Sequence, residues 1–487
     1  MHETLERKPG NRRLPRFAIP LAVLLGLGLG VATAGFLPAP AVPFYLGGIQ
    51  VNEPDLRSWV SALQREGLNT VAVTDYARQG DWDSTNLWWE VENDPWVLQE
   101  IRTAEAQGLH TVLVLRVALD HAFERNRFLW HGQILPTSEA ARDEWFRRYG
   151  EFVTTWARTA QREGVDLLMI ASEMNALTST APLRRPPELA EYFLDPAQRS
   201  ARKELLLSHR DRLEDGRVWL AGRKETSSLE DHLEARIGTE RDWAARTSLP
   251  STPDRLARLN RRRSELDERW RNLIAAVRDE YAGEIGYAAN FDQYRQVGFW
   301  DALDVIGINA YFPLRNPDSV GVEGDPELLR RELERGWTRI LEEIARFRVS
   351  RGLDEHPVVF TELGYVPRSR TTLAPWAGEG YSVVYDGNGT PRVVVWAEQP
   401  RDRRERALAV EALHAGHRAY AEPFLRGSLY WQLSTVPSHA EIEPFVLLLN
   451  PGRDPLLDAL RLFRPGGERP GSLEAPPDLD RSTASDG

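Results

Sequence analysis

The sequence predicts an α/β chain folded as a (β/α)8 TIM barrel, with a long helical insertion after strand 4 and a β-hairpin after strand 7. Three observations carry this reading. Eight short apolar runs alternate with amphipathic stretches, at 46–51, 70–74, 111–117, 166–171, 285–289, 305–308, 358–361 and 428–431. No glycine-rich nucleotide loop follows the first run, which disfavours an open doubly wound sheet. The 487 residues exceed the ~250 that such a barrel needs, and the excess falls mainly in one place.

Taken in order, the chain begins with a basic stretch holding Arg7, Lys8, Arg12, Arg13 and Arg16, followed by an uncharged apolar run over 17–37. These are the n- and h-regions of an export signal. Ala32-Thr33-Ala34 suits a cleavage site, while the run is also long enough to span a bilayer, so signal peptide and signal anchor both remain open. Pro38, Pro40 and Pro43 make a linker, and residues 1–44 are set apart from the fold. The rest is expected outside the cytoplasm: periplasmic, secreted or anchored to the outer side of the membrane, touching the membrane only through this segment.

The barrel is expected over 45–465. Its helices show in patterns such as Leu56, Trp59, Val60 and Leu63, or Trp145, Tyr149, Phe152, Val153 and Trp156. Between the fourth and fifth runs, residues of about 182–253 form a charged helical insertion leaving from a strand's C-terminal end. That places it on the face where such barrels carry their sites, as a wall or lid, or else as a solvated decoration or oligomer contact. Residues 381–385 and 392–396, rich in valine and aromatics, flank the turn Asp386-Gly387-Asn388-Gly389 and read as a hairpin over that face. The Pro-, Gly- and Ser-containing tail 466–487 is expected to be disordered.

A net charge of −11 with scattered basic residues excludes a phosphate-neutralising face for nucleic acid. The absence of cysteine removes disulfides, thiolate metal sites, iron–sulfur clusters and cysteine nucleophiles. The ten histidines are dispersed, and the one close pair, His414 and His417, reads as a surface feature. No metal and no cofactor are implied.

Sites in such barrels lie at the C-terminal strand ends. Glu173 closes the fourth run and Glu362 the seventh, each ending an apolar strand where a charge is costly unless it is used. Two carboxylates in one barrel mouth are what glycoside hydrolysis requires. Sixteen tryptophans are present, several after strands: Trp82, Trp88 and Trp89 after the second, Trp130 after the third, Trp376 after the seventh, and Trp431 in the eighth. Flat rings with an N–H suit pyranose faces, and of these Trp89, Trp130, Trp376 and Trp431 are the expected carbohydrate contacts. Arg116 and Asn290, at the ends of the third and fifth strands, are expected to bind hydroxyls.

The chain resembles the clan A glycoside hydrolases, and within them family 113. The resemblance is carried by Trp130-His131-Gly132-Gln133-Ile134, Tyr287-Ala288-Ala289-Asn290, the long segment 299–314, the Glu362 strand, and Tyr430-Trp431. It implies that Glu173 is the acid/base, Glu362 the nucleophile, Tyr311 the group orienting the nucleophile, and Trp431 the sugar platform. It also implies net retention on a β-linked glycan, β-mannan above all. Glu173 is then expected to have a raised pKa, and Glu362 to be held ionised. Ser172 departs from the Asn that many clan A enzymes carry before the acid/base. A non-catalytic glycan-binding barrel at the cell surface, and a transglycosylase or lyase acting on extracellular glycan, are the alternatives. Sugar, linkage, endo or exo action and oligomeric state stay open.

Overall fold

The structure is a computed structural model. It describes residues 43–464 apart from 91–93, 179–198, 212–227, 250–251, 320–321, 379, 387, 421–422 and 450–453. The export segment, parts of the insertion and the tail therefore lie outside the described residues. Among the described residues no helix is long and apolar enough to cross a membrane.

Eight parallel strands close the barrel: β1 (Tyr45–Gln50), β2 (Thr70–Gln79), β4 (His110–Leu119), β5 (Leu167–Ser172), β6 (Glu284–Asn290), β7 (Val305–Asn309), β8 (Val358–Leu363) and β11 (Leu425–Ser434). β1 pairs with both β2 and β11, which seals the ring. Smaller strands decorate it. β3 (Leu87–Trp88) runs antiparallel to β2, β9 (Tyr381–Tyr385) pairs with β10 (Pro391–Val395) as a separate hairpin, and β12 (Leu447–Leu448) extends β11.

The helices form where the 3.6-residue pattern and capping residues coincide. α1 (Leu56–Glu66) starts at Asp55, which accepts from the Arg57 and Ser58 amides, and stops at Gly67, whose φ of 69° suits a residue without Cβ. α2 (Pro95–Ala106) starts with proline at its first position. α3 (Glu139–Glu163) begins at Ser138 and ends at Gly164, φ 70°. After β5 come α4 (Asn175–Thr178), α5 (Arg199–Leu207), α6 (Leu229–Thr247) and α7 (Arg255–Glu280); α8 (Pro326–Ser350) and α9 (Arg403–Arg418) complete the outer ring. Between β6 and β7 the chain makes short 3-10 turns instead of a helix.

Strand alternation sorts the core into two layers. Ala72, Val112, Val114, Leu167, Met169, Val305, Val359 and Leu429 fill the barrel interior. Their sequence neighbours, such as Val71, Val73, Leu113 and Leu168, face the helices, where Trp59, Trp145, Trp156, Trp270 and Trp337 are fully buried. Cutting any of these tryptophans to alanine is expected to cost ~3–5 kcal/mol. His414 and His417, read as a surface pair, instead pack their rings against Phe463.

The insertion and the hairpin share a core of their own. Leu206 of α5 and Leu229, Leu233 and Ile237 of α6 pack with Val383 and Val395. Further contacts tie α6 to the loops after β2 and β4: Trp243 meets Trp82 of the first edge to face at 6.3 Å and donates from Nε1 to the Gln133 carbonyl of the second at 2.8 Å.

Candidate active site

The C-terminal ends of β4, β5, β7, β8 and β11 converge on two buried carboxylates. Glu173 follows β5 directly, and its backbone sits at φ 53°, a left-handed conformation that costs an L-residue on the order of 1–3 kcal/mol. Neighbouring groups hold it there. Its amide donates to the Ala288 carbonyl at 2.8 Å, and the next amide, of Met174, donates to the Tyr287 hydroxyl at 2.9 Å. His131 Nε2, from the loop after β4, lies 3.3 Å from Glu173 Oε2.

Glu362, in β8, has different partners. The Arg116 guanidinium pairs with Oε1, and the Tyr311 hydroxyl donates to Oε2 at 2.6 Å. Burial and the Glu362 charge push the Tyr311 hydroxyl well above its usual range, so it stays a donor. Arg116 also lies over the Trp431 ring at 5.1 Å, so one cation is shared between the carboxylate and the aromatic floor.

Asn309, at the end of β7, joins the two halves. Thr361 Oγ1 donates to its Oδ1 at 2.7 Å, and its Nδ2 donates to Ser172 Oγ at 3.2 Å. Thr361 precedes Glu362 and Ser172 precedes Glu173, so one amide bridges the residues that carry both carboxylates. The small Ser172 side chain, where an Asn was the comparison, is what Asn309 meets.

The electrostatics differ from the sequence expectation. Burial pushes Glu173 up, but the His131 hydrogen bond and charge, aided by Asn309 and Arg116, bring it below the ordinary carboxylate value. Burial pushes Glu362 up, Arg116 opposes this, the Glu173 charge adds to the rise, and the result lies above the ordinary value. The cause is identifiable. Arg116 is permanently charged and opposes the effect of burial on Glu362, while the His131 hydrogen bond favours the ionised form of Glu173. The two carboxyls titrate as a pair, and the charge on Glu173 disfavours ionisation of Glu362.

The other residues expected from sequence divide. Trp431 floors the mouth beneath Arg116. Trp376 stacks on Phe291 at 5.5 Å, in the cluster that also holds Tyr311 and borders Trp431. Trp130 packs edge-on against His131 at 5.0 Å. Asn290 pairs in register with Asn309, and its Oδ1 is buried without a protein hydrogen-bond partner. Trp89 is elsewhere: its ring packs toward Phe152 of α3, 5.8 Å away. Trp82 is fully buried beneath α6. His131, Asn309 and Tyr76, whose position faces Arg116 across the β2–β4 pair, were not singled out from sequence. Asn309 ends β7 and could have been found there, whereas Tyr76 lies within β2 and His131 in the long loop after β4.

The model of Glycoside Hydrolase Family 113 matches residues 50–182 and 258–383, more than half of the chain, and passes over the insertion. A solved family 113 β-mannanase from Alicyclobacillus acidocaldarius, in complex with ManMIm, is 18% identical, with 86% of this chain and 96% of that one covered and a TM-score of 0.50. Two solved structures of family 113 β-1,4-mannanase, one of them a complex, are each 16% identical, cover 86% of this chain and 97% or 99% of their own, and give TM-scores of 0.51 and 0.52. No curated protein matches the sequence. With a closed (β/α)8 barrel, buried carboxylates at the ends of its fourth and seventh strands, and a family match over most of that barrel, the chain belongs to glycoside hydrolase family 113 and is a glycosidase.

Proposed function

We propose that this glycosidase hydrolyses a β-linked polysaccharide, β-mannan in the first instance, with net retention, Glu362 acting as nucleophile and Glu173 as acid/base. The observation that carries the assignment is the unequal environment of the two carboxylates. Glu362 is aimed by a fixed cation and a hydroxyl donor, both of which favour its ionised form against the burial that raises its pKa, as a nucleophile requires. Glu173 meets the His131 imidazole at 3.3 Å in place of a paired guanidinium and is the less firmly gripped of the two, as a residue that must give and take a proton requires. The names of the similar structures support mannan as the first substrate to try.

In the first step a Glu362 oxygen bonds to the anomeric carbon as the bond to the leaving oxygen breaks, and Glu173 transfers its proton to that oxygen. In the second, Glu173 takes a proton from water, the water oxygen bonds to the anomeric carbon, and the bond to Glu362 breaks. Asn290 Oδ1, buried and without a partner, suits a sugar hydroxyl as donor. Trp431 and Trp376 supply apolar faces beside the carboxylates. We propose export on the basic and apolar N-terminal stretch alone.

Azide rescue tests the roles. Glu362→Ala should abolish turnover of natural substrate, and azide should restore cleavage of an activated aryl glycoside as the inverted glycosyl azide. Glu173→Ala should spare glycosylation by good leaving groups, and azide should give the retained product. Opposite stereochemistries mean the roles are exchanged, and near-normal activity in either variant removes that glutamate from the mechanism.

A further inference from the structure

β2 and β4 are longer than the barrel needs. They pair along their whole length, from Thr70 with His110 to Gln79 with Leu119, whereas β5 joins β4 only from Val112 to Val114. Beyond that point, β2, β4 and the short β3 rise from the barrel mouth as a wall. Strand alternation decides which face looks where. Ala72, Val112 and Val114 point into the barrel, and Arg116, in the same phase, reaches Glu362. Tyr76 and Arg78 continue that phase on β2, and Trp88 of β3 lies opposite Arg78. The ring of Phe123 then covers Gly80, where an added Cβ would come within 3.1 Å of it.

This face is aromatic and open. Tyr76, Trp88 and Phe123 are 40%, 37% and 41% exposed, although large apolar side chains are ordinarily covered. The opposite face is closed: Leu87 and Ala77 are buried, and Gln79 accepts from Trp145 Nε1 of α3 at 2.7 Å. From Tyr76 to Gly80 the strip covers about 13 Å at the rise of a strand, enough for more than one sugar ring.

We propose that Tyr76, Trp88 and Phe123 form an extended glycan-binding strip that holds the polysaccharide chain beyond the sugar seated at Glu173 and Glu362. The occupant follows from continuity. The strip begins beside Arg116, shares its face of the sheet and leads outward, so a chain lying in the mouth passes along it. Aromatic rings interrupted by a guanidinium donor suit the apolar faces and hydroxyl edges of pyranoses. The proposal rests on the glycosidase reading and adds to it a preference for long substrates.

The test compares Trp88→Ala/Phe123→Ala with the parent chain, using galactomannan, glucomannan, xylan and β-glucan as polymers and the matching aryl β-glycosides as short substrates. For whichever polymer is used, the ratio of polymer to aryl-glycoside kcat/KM is expected to fall about 10-fold or more. Trp88→Phe should restore most of the loss of Trp88→Ala. Binding of the same polymers to the Glu173→Ala/Glu362→Ala chain, with and without the strip substitutions, isolates the strip from the chemistry. Aryl-glycoside turnover with polymer binding and turnover insensitive to the substitutions overturns the strip while leaving the enzyme intact. Absence of all turnover would count against the glycosidase roles, and polymer binding would still decide the strip. Sedimentation showing that the substitutions abolish self-association and leave polymer binding untouched would overturn it in favour of a subunit contact.

Discussion

Asn309 Nδ2 donates to Ser172 Oγ at 3.2 Å, carrying an amide from the end of β7 to the residue that precedes Glu173. Because Thr361 holds the other end of the same amide, the positions of the two carboxylates are set through one side chain. Their separation decides between retention and inversion.

Asn309→Ala is therefore expected to lower kcat/KM about 10- to 100-fold on substrates with poor leaving groups, which need the acid most. The effect should shrink on aryl glycosides with good leaving groups. Steady-state kinetics over a leaving-group series checks this, and an equal loss across the series would indicate a purely structural contribution.

His131 brings Glu173 down, so its removal should let that carboxyl rise. The acid must be protonated to act, and a higher pKa keeps the proton to higher pH. The alkaline limb of the kcat/KM profile for His131→Ala should thus move upward. An unchanged limb would mean that His131 does not govern the proton on Glu173.

Trp243 connects the insertion to the loop that carries His131. Trp243→Phe keeps most of the apolar area but loses the hydrogen bond to Gln133, an expected cost of ~1 kcal/mol. Trp243→Ala should cost ~3–5 kcal/mol through the cavity it leaves. Urea unfolding measures both. If α6 steadies His131, Trp243→Phe should also shift the alkaline limb in the same direction as His131→Ala.

Glu100 lies on α2, fully buried, and accepts from Gln50 Nε2 and Trp59 Nε1. Burial raises it from 4.5 to about 7. Between those values the folded chain binds more protons at this site than the unfolded one, so stability from this group falls as pH rises. The full effect is roughly 3 kcal/mol, reached above about pH 7. Comparing unfolding midpoints at about pH 5 and about pH 8, Glu100→Gln should lose less stability than the parent chain.

The barrel, the two glutamates and the additions were legible because each left a local mark: eight apolar runs, a carboxylate closing two of them, one charged stretch between the fourth and fifth, and a valine-rich pair around a turn. Arg116 and Trp431 followed from strand ends in the same way, Tyr311 from the family resemblance, and the structure brings all three to Glu362 or its neighbours. Contacts between distant residues left no such mark. His131 and Glu173 are brought together only when the ring closes, and Asn309 reaches Ser172 from two strands away. The choice between Trp88 and Trp89 shows the reason most sharply. Sequence favoured Trp89, yet β3 pairs with Arg78 opposite Trp88, which turns Trp88 to the mouth and Trp89 to α3. Side chains on a strand alternate, so the identity of the open ring is a matter of register, and register belongs to the partner strand as much as to the residues themselves. The sequence by itself determined which chemical groups stand at the strand ends; the tertiary structure alone decided which of them face one another, because barrel closure and strand register are properties of the whole sheet.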